Sequence, residues 1–188
     1  MKYHFMQGIT FLLAIALFTG CDDNDDPLSP PTDDGSFLLE ISGDVEASFS
    51  GEAWFGSSED PETGQTGFVL WLFTDDENIQ TGDNLWFVHL GATQPAETEY
   101  PIGDFEELEE EEPNPEVFYG IFAGYSVANA FLGGESGTID IATATSSEVT
   151  GTFSFTASGI SLETGDEITA QMEGEFNAVP GPVVIPEN

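Results

Sequence analysis

The sequence predicts an all-β domain, a single antiparallel β-sandwich or small β-barrel of about eight or nine strands. Three observations carry this. Apolar residues alternate with polar ones in several segments, most clearly in the C-terminal third. Other segments are short, continuous apolar runs bounded by Gly, Asp and Asn. Helical periodicity is nearly absent.

Phe37-Leu38-Leu39-Glu40-Ile41 opens the pattern. From Val45 the chain alternates, with Val45, Ala47 and Phe49 on one face and Glu46, Ser48 and Ser50 on the other. Gly51 is a candidate bulge or bend before Trp54-Phe55. Phe68–Phe73 and Leu85–Leu90 are continuous apolar runs, joined by a long acidic loop from Thr74 to Asn84. They read as a hairpin. Val117–Tyr125 is a further strand.

Three amphipathic strands follow. Ile139 and Ile141 point inward in Gly137–Ile141, and Phe153 and Phe155 do so in Val149–Ala157. Ile168, Ala170, Met172 and Phe176 face in along Ile168–Phe176, with Glu173 and Glu175 outward. The best helical candidate, Asp104 to Glu112, is opposed by its own like charges. Ser126 to Leu132 is read as a short helical turn, and the tail from Val179 as extended because of its prolines.

The chain has 188 residues, with 36 Asp+Glu against a single Lys and a net charge of -35. That cation is Lys2, and every acid lies at or beyond Asp22. Without the first 20 residues the chain has no Lys or Arg, and its one His is His89. A basic surface for nucleic acid is therefore excluded. So are an arginine clamp, a P-loop lysine and a Schiff-base lysine. The acidity points instead to solvent. Self-repulsion at this charge opposes a compact state. At about 1 M salt the Debye length is only about 3 Å, which removes most of that repulsion. A saline or halophilic habitat is the expectation.

The N-terminus reads as a targeting segment. Lys2 gives a positive start, and the largely apolar run Ile9–Phe18 is too short for the roughly 20 residues a membrane helix needs. It fits the core of a secretory signal. Phe18-Thr19-Gly20-Cys21 follows, and Cys21 is the one cysteine of the chain. These four residues resemble the lipobox of bacterial lipoproteins, although Leu is commoner where Phe18 stands. The resemblance implies lipid attachment at Cys21 after removal of residues 1–20. Two or more acyl chains hold a protein stably on a membrane. A lipidated Cys21 leaves no thiol for a disulfide, a metal or a nucleophile. Residues 21–36 read as an acidic, Pro-rich tether. Residues 37–179 are then the β domain, and 180–188 a Pro-rich tail.

The lipobox, the acidic tether and the order Gly137–Ile141, Val149–Ala157, Gly174–Asn177 together resemble small β-rich lipoproteins common in Bacteroidota. That resemblance implies a membrane-anchored cell-envelope protein outside the cytoplasm. The acids after Cys21 resemble surface-export signals of Bacteroidota lipoproteins, which point to the outer membrane and its exposed face. In some other bacteria, Asp after the lipidated Cys signals retention in the inner membrane instead. It supplies no catalytic residues.

Candidate sites are few. The run Asp104–Glu116 suits hard cations such as Ca²⁺ or Na⁺ by ligand type but lacks the spacing of a cage. Asp75, Asp76 and Asp83 form a weak cation candidate. An EF-hand beginning at Asp76 fails, because Thr81 and Phe87 stand where Gly and Glu are needed. His89 lies in an apolar strand, and with residues 1–20 removed and Cys21 lipidated no second His or free Cys remains to complete a zinc site or a nucleophile pair. Trp54, next to a strand end, is the candidate for stacking on a ligand or sugar ring, whereas Trp71 and Trp86 sit inside apolar runs. No catalytic residue and no cofactor is expected. The leading function is a non-enzymatic envelope protein that binds an unidentified protein or glycan, or plays a structural part. The alternatives are a carbohydrate-binding module, favoured by an exposed aromatic row, and a lipocalin-like carrier, favoured by an internal cavity.

Overall fold

The computed structural model describes residues 34–59, 66–74, 82–91, 94–109, 114–127 and 129–183. Nine strands make up one sheet that closes on itself. They are β1 (Ser36–Gly43), β2 (Ala47–Glu59), β3 (Thr66–Phe73), β4 (Asn84–Leu90), β5 (Glu99–Gly103), β6 (Phe118–Gly124), β7 (Ala130–Ala144), β8 (Val149–Ser161) and β9 (Glu167–Pro180). The order around the ring is β1-β2-β3-β4-β6-β5-β7-β8-β9, and β9 returns to β1. The expected all-β fold is observed. Its ladders are antiparallel, apart from two short parallel meetings.

Both parallel meetings have a geometric cause. Before β1 begins at Ser36, β9 and β2 touch directly, with Trp54 opposite Val179. Short β5 enters between β6 and β7 at one end only, so Ile102 pairs with Phe118. Farther along, β6 reaches β7 itself, with Ile121 opposite Gly133. Among the described residues, closure leaves no long unpaired edge for another chain to extend.

Period-two alternation decides which side chains enter the ring. Phe37, Leu39, Phe55, Phe68, Phe87, Phe118, Phe153, Phe155 and Phe176 fill it, all buried. Their rings touch in series, with Phe87 5.0 Å from Phe153 and 5.6 Å from Phe155. Glycines make room for them: a Cβ at Gly174 would come 2.5 Å from Phe153 Cζ. A small ring of strands filled by side chains is a packed core rather than a pore.

The continuous apolar runs are explained by a second layer. On β3, β4 and β6 the outward residues Val69, Trp71, Phe73, Trp86, Val88, Tyr119 and Ile121 are also buried. Part of their cover comes from Phe105 and Leu108 of a 3-10 turn, η1 (Phe105–Glu109), and from Val183 beyond β9. Strands buried on both faces lose alternation and read as unbroken hydrophobic runs.

Two expectations are corrected. Gly51 makes no bulge, since the β1–β2 register runs unbroken from Ser36–Glu52 to Ile41–Ala47. It is needed for close approach, because a Cβ would fall 2.2 Å from Phe73 O. The segment expected as a helical turn up to Leu132 enters β7 at Ala130 instead. The described part of the helical candidate forms only the five-residue η1, in keeping with the like charges that oppose a longer helix. Asp104 Oδ1 accepts the Glu106 N–H at 3.0 Å there, a local bond that starts the turn without lengthening it. Finally, β5 carries no alternation signal in the sequence.

Candidate functional site

Of the predicted site residues, Asp83 and Trp54 are described. Cys21, Asp75 and Asp76 lie outside the described residues. Asp83 is buried, and its carboxylate is occupied by protein. Its Oδ1 accepts the Ser126 N–H at 2.9 Å, and its Oδ2 accepts the Ser126 hydroxyl. Its main chain closes the hairpin, with the Thr74 N–H donating to Asp83 O at 3.1 Å. Asp83 thus ties the β3–β4 loop to the β6–β7 loop. Among the described residues no three His, Cys, Asp or Glu converge to hold a metal.

Trp54 is the least buried of the three tryptophans, yet it does not stand free. Its ring meets Trp71 edge-on at 6.0 Å and Phe73 at 4.6 Å. Gly181 lies against it, where a Cβ would come 2.5 Å from Trp54 Cγ. Trp71 in turn stacks on Trp86 at 6.1 Å, and its Nε1 donates to Asn84 Oδ1 at 3.0 Å. The aromatic row is present on β2, β3 and β4, but it is packed into the second layer.

His89 points into the ring. Phe118 lies 4.7 Å away and Tyr100 5.1 Å away, and neither imidazole nitrogen has a hydrogen-bond partner. Burial lowers its pKa below the usual 6.5. It has no hydroxyl or carboxylate partner of the kind a base needs. Glu175 faces outward from β9 yet is buried, and its Oε1 has no partner. Burial raises its pKa above 4.5.

The most developed concavity lies elsewhere, on the outside of β7 and β8 beside η1, with a volume of about 570 Å³. Phe131 and Ile160 face each other across the β7–β8 ladder, and Gly133 faces Ser158 one step along the same outward stripe. Phe105 of η1 sits over Gly133, where a Cβ would come 2.6 Å from its own Cβ. Its ring meets Phe131 edge-on at 5.8 Å. Ile160 and Leu162 are 52% and 59% exposed. Asp104, Glu106 and Glu135 line the same groove. The Ser158 hydroxyl donates to Glu135.

The strand parity held a signal for this groove. Phe153, Phe155 and Ala157 point inward, so Ile160 falls on the outward parity, and Leu162 follows it in the turn just past β8. Two large exposed aliphatics this close together mark a surface feature.

No protein-family model, curated protein or solved structure matches the chain.

Proposed function

We propose that the protein is a lipid-anchored cell-envelope domain that binds a partner on its outer surface and carries out no chemistry. The observation that carries this reading is the position of the groove. Ser36, where the chain enters the sheet, pairs with Asn177 near the end of β9. Ile160 pairs with Glu167 at its start. Ten residues of strand separate those two levels, roughly 33 Å at 3.3 Å per residue. A tether running from Cys21 to Ser36 would thus leave the groove on the far side of the domain from the membrane. Exposed aliphatics on so acidic a surface support a binding role. The filled interior favours an outer site over a carrier cavity, and the covered tryptophans offer no open stacking platform.

The anchoring half of the reading is tested by intact mass spectrometry of the protein from a bacterial membrane fraction. The expected species begins at Cys21 and carries acyl chains, and Cys21→Ser moves the protein to the soluble fraction. An unacylated protein, or a serine variant that stays in the membrane, contradicts it.

A further inference from the structure

We propose that the groove between η1 and the outer face of β7–β8 takes an extended peptide segment that alternates apolar and basic side chains. The inference rests on reading the domain as a binding module and names the chemistry of its partner.

The groove has two characters. Ile160 and Leu162 give it an apolar wall that the fold leaves open, with half-buried Phe131 beside them. They are not spare core residues, since the ring beneath them is already filled by Phe153, Phe155 and Leu132. Between this wall and η1 the strand pair carries Gly133, which Phe105 covers, and Ser158, a small side chain whose hydroxyl donates to Glu135. The result is a trough along the outward stripe, and an extended chain fits a trough of this kind better than a folded domain does. Side chains of an extended peptide alternate in direction, so it can present apolar and charged groups to different parts of one groove.

Charge selects the occupant. Asp104, Glu106 and Glu135 line the groove, and there is no Lys or Arg beyond Lys2 anywhere in the chain. A second copy would bring another net charge of -35 to the same surface. Like charges suppress that pairing, whereas a basic segment is drawn in. The apolar wall supplies what the acidic surface cannot, because acids are spread over the whole domain and would attract any cation equally. Ile160 and Leu162 are local. They would make this groove, rather than the surface at large, the place where an amphipathic cation stays.

The test uses the full chain immobilised through its C terminus and two synthetic probes, an alternating lysine–leucine nonapeptide and a lysine pentapeptide. They carry matched charge and differ in apolar content. The wild type is expected to bind the lysine–leucine peptide at least about tenfold more tightly than the pentalysine. The double variant Ile160→Ser/Leu162→Ser is expected to lose that advantage while binding pentalysine as before. Both substitutions are at exposed positions, and an unchanged melting temperature verifies the fold. A second variant, Glu135→Gln, is expected to weaken the lysine–leucine peptide and lessen its salt dependence while leaving pentalysine nearly unchanged. Equal binding of the two probes, no binding, or an unaffected double variant overturns the proposal. So does concentration-dependent dimerisation that the double variant abolishes, since the groove would then belong to a second copy. Failure here with Cys21 acylated would leave the anchor standing and remove only the groove.

Discussion

Trp54 and Trp71 stand opposite each other on β2 and β3, with ring centres 6.0 Å apart and planes at 89°. The pair joins two parts of the molecule. Trp71 belongs to the layer on the outer face of β3, β4 and β6, and Trp54 is where the chain beyond β9 closes over that layer. The Gly181 N–H donates to Phe55 O at 3.0 Å and holds this strap in place.

The two tryptophans should therefore differ in energetic weight. Trp71→Ala removes a 4% exposed indole together with its bond to Asn84, and a loss of about 3–5 kcal/mol is expected. Trp54→Ala, at a half-buried site, should cost roughly half as much. Urea unfolding in molar NaCl measures both. Equal losses would mean that the strap contributes as much as the layer beneath it.

Glu175 should oppose folding at neutral pH. Its pKa is raised above 4.5 by burial, so the protonated form suits the folded state. Its contribution is fully present below pH 4.5 and is lost as pH rises through the higher folded-state value. Glu175→Gln should raise the melting temperature at pH 7 and make no difference below pH 4.5. An equal shift at both pH values would assign the effect to shape rather than charge.

His89 has the opposite sign. Its folded-state pKa is lowered from 6.5, so the unfolded chain takes up the proton first. Stability from this residue is complete above pH 6.5 and is lost as pH falls from there toward the folded-state value. His89→Phe, a ring among the rings of Tyr100 and Phe118, should flatten the stability profile just below pH 6.5. A slope that persists in the variant would place the responsible proton elsewhere.

Salt should stabilise the whole domain. A net charge of -35 with one cation leaves the carboxylates nothing to pair with except solvent ions. Raising NaCl from about 0.01 M to about 1 M shortens the Debye length from roughly 30 Å to 3 Å. The melting temperature should climb steadily across that range. A flat or falling curve would remove the link between composition and a saline environment.

Much of the fold is visible in the sequence because its two patterns have direct physical causes. Residues of β8 and β9 alternate because one side faces the ring and the other faces water. The runs Phe68–Phe73 and Leu85–Leu90 do not alternate because apolar layers lie on both sides. What escaped notice was fixed by neighbours. β5, with Pro101 at its centre, is a strand only because a gap opens between β6 and β7. The first turn of β7, through Gly133 and Gly134, has no alternation to read. Of the expected site residues, Asp83 serves the hairpin and Trp54 the outer layer. The groove was half legible, since Ile160 breaks the polar parity of β8 and a second exposed aliphatic, Leu162, follows just past the strand. The part played by Phe105 was not, because it depends on η1 folding back over Gly133.

The central claim is that the domain works through its outer groove and not through its interior. Chemical-shift mapping of the full chain against the lysine–leucine nonapeptide tests it most directly. The account predicts changes concentrated at Phe105, Phe131, Gly133, Ile160 and Leu162, with the interior residues Phe87 and Phe153 unmoved. Changes spread evenly over the acidic surface, or centred inside the ring, would contradict it.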